Sequence, residues 1–212
     1  MKRWRLSVLI SGALCAGAAQ ASAQSAGNFA IGGSYLTRLA SASSELHHVK
    51  GPGLLWRFGH DETRWAWHWG LNWFTTDLDG TVGGSSVELG KLHVRPIMVG
   101  YGYTRVFGRT AVTADVLAGY AFTSITLTPQ ASDAYRDRLG ARSITADTTN
   151  ALTAMPEVSV WFDMSRKIGI NVTAGYGIAR PRLTVHSTLG EDTRNVRADM
   201  FVLKIGAVYS IF

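Results

Sequence analysis

Six histidines are the side chains of this 212-residue chain best suited to metal or proton chemistry. His47 and His48 stand together, His60 falls in a short polar link, and His68 and His93 lie inside alternating segments. His186 precedes a hydrophilic stretch. No two are four residues apart, and none neighbours a cysteine, as helix-borne or Cys-paired zinc sites require. Ser187 follows His186, but successive strand residues point to opposite faces, so the two cannot act on one substrate. The spacing predicts no metal ligands, no catalytic residues and no cofactor-binding residues. A second group is more promising. Arg57, His68, Asp115, Glu157 and Lys204 each sit on the polar side of a segment whose other side is apolar.

Those segments must position them. The clearest runs from Arg64 to Phe74, where Trp65, Trp67, Trp69, Leu71 and Trp73 alternate with Arg64, Ala66, His68, Gly70 and Asn72. A period of two is the strand period. Seven further segments repeat it: Asn28 to Leu39, Val49 to Gly59, Val87 to Val106, Thr110 to Leu127, Asn150 to Met164, Ile168 to His186 and Val196 to Ile211. In the fourth of the eight, Leu92 and Val94 share one parity, and Ile97, Val99, Tyr101 and Tyr103 the other. A β-bulge at Pro96 is expected there. It leaves His93 and Arg95 or its neighbour as further candidates for the polar face.

The links alternate in length. His60 to Thr63, Phe107 to Arg109 and Ser165 to Lys167 are short. Ala40 to His48, Thr76 to Ser86, Thr128 to Thr149 and Ser187 to Asn195 are longer and polar, and are read as solvated loops. Short turns on one rim and long loops on the other are the pattern of transmembrane β-barrels. Aromatic residues gather at the short-turn rim: Trp56, Phe58, Trp65, Trp67, Tyr101, Tyr103, Phe162 and Tyr209 form an expected lipid-facing belt. A soluble barrel with its aromatic face inward shows the same alternation, so the period alone does not decide between them.

The N-terminus helps decide. Lys2, Arg3 and Arg5 precede an apolar run from Leu6 to Ala19, and Ala21-Ser22-Ala23 supplies an A-x-A site. These are the parts of a secretory signal peptide. Residues 1–23 are expected to be removed, taking with them Cys15, the single cysteine, and leaving residues 24–212 as one barrel domain. The leader also holds much of the formal charge of +6. What remains is too weakly and diffusely basic for a nucleic-acid partner. No later stretch reaches the 18 or so uninterrupted apolar residues of a membrane helix.

The expectation is an all-β protein: an eight-stranded antiparallel up-and-down transmembrane β-barrel. With its inward glycines around Gly100-Tyr101-Gly102-Tyr103 and the terminal Phe212, it resembles the small outer-membrane families typified by the OmpA transmembrane domain, OmpX and OmpW. Those families carry a terminal Phe with alternate apolar residues behind it. Here the outward parity falls on Tyr209 and Ile211, one residue out of step with Phe212. The resemblance implies the bacterial outer membrane of a Gram-negative envelope, contact with its lipids, and the barrel-assembly machinery as partner during biogenesis. Some barrels of this size are lipid A deacylases using a His-x-Ser pair, a motif missing from this sequence.

A bore of eight strands is just wide enough for side chains to fill. The expected lumen polar network of Arg57, His68, Asp115, Glu157 and Lys204 is then a set of ion pairs plugging it, since unpaired buried charges are costly. The protein is expected to be non-enzymatic and to serve envelope integrity or surface interaction, with an extracellular ligand reached through four long loops. The alternatives are a narrow porin-like channel for small solutes or hydrophobic molecules, and a lipid-modifying enzyme.

Overall fold

The computed structural model describes residues 29–40, 46–58 and 62–211. The expected leader, His60 and Phe212 lie outside the described residues. The strands are β1 (Phe29–Ala40), β2 (Leu46–Phe58), β3 (Arg64–Asn72), β4 (Phe74–Val82), β5 (Ser85–Phe107) and β6 (Thr110–Leu127). After helix α1 (Pro129–Leu139) come β7 (Thr145–Thr148), β8 (Ala151–Asp163), β9 (Ile168–Ala179), β10 (Arg182–Ser187), β11 (Gly190–Asn195) and β12 (Met200–Ser210).

β1 pairs with both β2 and β12, and antiparallel neighbours close the circuit through β9, β8, β6, β5 and β3/β4. β3 and β4 keep one register on β5 and part only at Trp73, so they act as a single staggered strand and the ring has 8. Followed once around the ring, the register leaves β5 at Ile97 and returns to it at Phe107, a shear of 10 residues. With about 3.3 Å per residue and 4.8 Å between strands, that shear sets a tilt of about 40° and a backbone radius of about 8 Å. The tilt is that of a membrane barrel.

The apolar faces look outward. Trp65 and Trp67 are 60% and 53% exposed, and Ile97, Val116, Val158, Ile170 and Ile205 are exposed beside them. Only a hydrocarbon surround makes such a surface favourable.

The bulge expected at Pro96 does not form. The β5–β6 register is unbroken from Gly90↔Leu127 to Phe107↔Thr110. Leu92, Val94 and Met98 all point inward, while Ile97, Val99, Tyr101 and Tyr103 point outward. The strand keeps its parity and the apolar residues change sides. Below Pro96 the outer face meets lipid, and above it the inner face meets protein. A register shift does occur higher up, between Leu78 and Asp79 of β4, beside Leu89 and Gly90.

The long connections are structured. β4 and β5 form one hairpin closed by Gly83 and Gly84, whose φ of 57° and 83° need glycine's freedom. The stretch Thr128 to Thr149, expected as a solvated loop, contains α1 and β7. Thr128 caps the helix by accepting from the Ala131 N–H, Pro129 opens it, and left-handed Gly140 ends it. β10 and β11 form a second hairpin, and with β7 they make a three-stranded sheet outside the ring. Leu46, Leu78, Val82, Leu89, Ala131, Leu183, Val185 and Val196 are buried between these pieces as the core of a cap.

One wall of the ring is weak. Among the described residues the β2–β3 ladder consists of Gly53↔Asn72 and Leu54↔Leu71. Below it, Trp56 and Phe58 run beside Trp65, Trp67 and Trp69 without ladder pairing.

Candidate functional site: the lumen and its cap

The interior has two halves. Toward the loop rim it is apolar, with Leu36, Leu92, Met98, Leu117, Met155, Met200 and Val202 all at most 2% exposed and continuous with the cap core. Toward the turn rim it is polar, lined by Ser34, Thr113, Ser159, Asn171 and Thr173, and Asn72 lies higher, beside the apolar half.

Four of the five expected network residues meet in the polar half. Lys204 Nζ of β12 donates to Glu157 Oε2 of β8 at 2.5 Å, with side chains only 5% and 9% exposed. The strand between them, β9, has Gly175 opposite Glu157, so no side chain intervenes. On the other wall His68 Nδ1 of β3 lies 3.6 Å from Asp115 Oδ2 of β6. They meet across β5 at Gly102, where a Cβ would fall 2.2 Å from that of Asp115. Asp115 and Glu157 are register partners, which joins the two pairs into one row.

Arg57 is not in that row. It lies nearer the turn rim, where it donates to Asp163 Oδ1 at 3.0 Å and covers the Trp161 ring at 5.1 Å. Arg64 sits at the rim against Glu62 at 3.1 Å. His93 and Arg95 share the outward parity and do not enter the lumen. His93 Nδ1 instead lies 3.0 Å from Thr75 Oγ1.

The lumen keeps spare hydrogen-bonding capacity. Ser34 Oγ, His68 Nε2, Asn72 Nδ2, Asp115 Oδ1 and Asn171 Nδ2 have no partner among the described residues. Such groups hold internal water in folded proteins. His68 Nε2 meets no hydroxyl or thiol among the described residues. Among the described residues no three His, Cys, Asp or Glu side chains converge on a metal-sized point.

All eight expected belt residues point outward near the turn rim. Trp65 stacks on Tyr101 at 5.6 Å and tilts against Tyr103 at 5.3 Å, and Trp67 meets Tyr101 edge-on. Phe58, Phe162 and Tyr209 are exposed, and Trp56 is half-buried beside the β2–β3 seam. Sequence reasoning missed a second girdle toward the loop rim: Trp73, Tyr120, Phe122, Tyr176 and Phe201. Tyr120 meets Phe122 at 5.3 Å, and Tyr176 meets Phe201 at 4.7 Å. Trp65 and Trp73 share one tilted strand, which at about 3.3 Å per residue and 40° separates the girdles by roughly 20 Å along the axis. That height suits a membrane's apolar band.

The cap carries its own charge pairs. His47 and His48 reach Asp79 and Asp77 at 3.1 and 3.4 Å, and His186 lies between Glu191 at 3.0 Å and Asp147 at 3.6 Å. Burial pushes up the phenol of Tyr135, which stands on α1; Asp192 adds to the shift, and Arg194 opposes it. A cleft of about 410 Å³ opens between α1 and β5, lined by Ser86, Val87, Gln130, Asp133, Ala134 and Asp137 among others.

No protein-family model and no curated protein matches the sequence. Solved structures do match in fold. The outer membrane protein OprG from Pseudomonas aeruginosa superposes with a TM-score of 0.68 at 15% identity, over 88% of this chain and 96% of that one. A major outer membrane protein from Thermus thermophilus gives 0.56 at 13% identity, over 88% and 100%. The outer membrane protein AlkL gives 0.50 at 13%, over 87% and 90%. By its closed ring, and by the apolar face it turns outward, the chain has the fold of the small eight-stranded β-barrel proteins of the bacterial outer membrane.

Proposed function

We propose that the protein is a sealed, non-enzymatic barrel of the outer membrane that serves envelope integrity or surface interaction through its folded cap. The observation that carries this reading is the continuous apolar packing from Leu78 and Leu183 in the cap down to Met98, Leu117 and Met155 in the lumen. Side chains at most 2% exposed leave no room for water around them. Beneath them the Glu157–Lys204 pair bridges over β9 along the lumen wall. Outer-membrane lipids surround the barrel, the assembly machinery inserts it, and an extracellular ligand would meet the cap. Single-channel recording on the full chain in planar bilayers tests the seal. Silence is expected, and discrete conductance steps would overturn it.

The second reading is a narrow route for small hydrophobic molecules that opens sideways to lipid. Two observations favour it. Met98, Met155 and Met200 give the apolar half adaptable walls, and the β2–β3 seam has only two ladder pairs among the described residues. Faster uptake of a small apolar dye by cells carrying the protein would support the route, with no ionic conductance.

A further inference from the structure

Three cations stand together on the outer face, at the level of the upper girdle and just beyond it. Lys50 of β2 is in register with Thr75 of β4, and Thr75 with His93 of β5. Lys91 and Arg95 flank His93, two residues to either side, on the same exposed parity. Lys50, Lys91 and Arg95 have no ion-pair partner among the described residues. Asp77, the register partner of Lys91, is held by His48, and Asp79 by His47. The His93–Thr75 contact puts polar hydrogen-bonding groups at the centre of the patch.

Their height fits one layer of the membrane. Arg95 is in register with Phe122 of the upper girdle and lies twelve residues along β5 from Phe107 at the turn rim. At about 3.3 Å per residue and a tilt of 40° it stands roughly 30 Å above that rim, beyond a 25 Å apolar band and within the headgroups. The cations of the turn rim are engaged differently. Arg105 covers Phe107, Lys167 covers Tyr209, and Arg109 donates to the Met164 carbonyl.

We propose that Lys50, Lys91 and Arg95, with His93 and Thr75 between them, bind the phosphate groups of the anionic glycolipid in the outer leaflet. Three positive charges without an ion-pair contact among the described residues suit a phosphorylated sugar headgroup, and Arg95 supplies a planar fork suited to phosphate. The site rests on the reading that the loop rim faces outward.

The test compares two variants of the full chain expressed in a Gram-negative outer membrane. One carries Lys50→Gln, Lys91→Gln and Arg95→Gln, and the other Arg105→Gln, Arg109→Gln and Lys167→Gln. Glycolipid that co-purifies in mild detergent is counted for each. The solubilised proteins are then titrated with bis-phosphorylated lipid A and with its dephosphorylated form. A headgroup-layer cation contributes about 1 kcal/mol, or roughly fivefold, so the first variant should bind lipid A on the order of 100-fold more weakly. The turn-rim variant should retain its glycolipid, and dephosphorylated lipid should bind the wild type weakly. Equal retention by wild type and the first variant overturns the site, as does equal affinity for the dephosphorylated lipid. Loss from the turn-rim variant alone overturns the orientation instead. If the triple variant inserts poorly, Arg95→Gln alone should still show the fivefold loss.

Discussion

Replacing Lys204 by Met tests whether the lumen charges are held by one another. The Lys204 and Glu157 side chains are 5% and 9% exposed and 2.5 Å apart, and Asp115 is the register partner of Glu157. Removing the ammonium leaves the Glu157 carboxylate buried beside a second carboxylate with no cation in contact. Breaking a buried pair in this way costs about 3–5 kcal/mol, whereas replacing both partners by apolar groups of similar volume is often neutral. Lys204→Met should therefore lose about 3–5 kcal/mol, Glu157→Met a comparable amount, and the double variant no more than about 1 kcal/mol relative to wild type. Urea unfolding of the barrel in lipid vesicles, followed by tryptophan fluorescence, measures all four corners of the cycle. Single losses below about 1 kcal/mol, or a double variant as unstable as the singles, would refute the reasoning, because the charges would then be solvated in the bore.

Other perturbations address different parts of the molecule. Val116 is 57% exposed near the middle of the apolar band, so Val116→Arg should cost about 2–4 kcal/mol in vesicle unfolding, and Val112→Arg, nearer the turn, clearly less. Equal costs at the two depths would mean the outer face does not meet a bilayer. Gly102→Ala places a methyl where only 2.2 Å separates it from the Asp115 Cβ, for a loss of about 1–3 kcal/mol and a lower refolding yield. A wild-type yield would refute the close approach of His68 and Asp115 across β5. Leu78→Ala, at a fully buried cap position, should cost about 2–5 kcal/mol locally. It should speed proteolysis within Thr128–Thr149 while leaving the heat-dependent gel shift of the barrel intact. Unchanged cleavage would mean the cap does not share that core.

The membrane-spanning part was legible because each lipid-facing strand writes its alternation directly, as Trp65, Trp67 and Trp73 do. The cap was not. Its strands bury apolar residues on the inner parity, so Leu92 and Val94 looked out of step with Ile97 and Val99 and suggested a bulge the chain does not make. A local signal for α1 was present, in Thr128-Pro129 and the closing Gly140, but it lay in a polar stretch whose composition reads as loop. The lumen row was half legible. Parity marked Arg57, His68, Asp115, Glu157 and Lys204 as inward, but which of them meet depends on the shear. That quantity places Glu157 within reach of Lys204 and leaves Arg57 with Asp163. The upper girdle escaped notice because Tyr120, Tyr176 and Phe201 are scattered along their strands and align only once the tilt is known.

The change of sides along β5 also protects the hairpins from misalignment. A slip of one residue reverses every side chain on a strand. In a strand greasy on one face throughout, such a slip is a single error that a lipid surround and a roomy bore could partly absorb. Here it would push Leu92 and Val94 out into the headgroups while turning Ile97, Val99 and Tyr101 into the lumen. Each half of the strand thus proofreads the other, and the sequence that misleads a reader about a bulge leaves the folding chain only one alignment to accept.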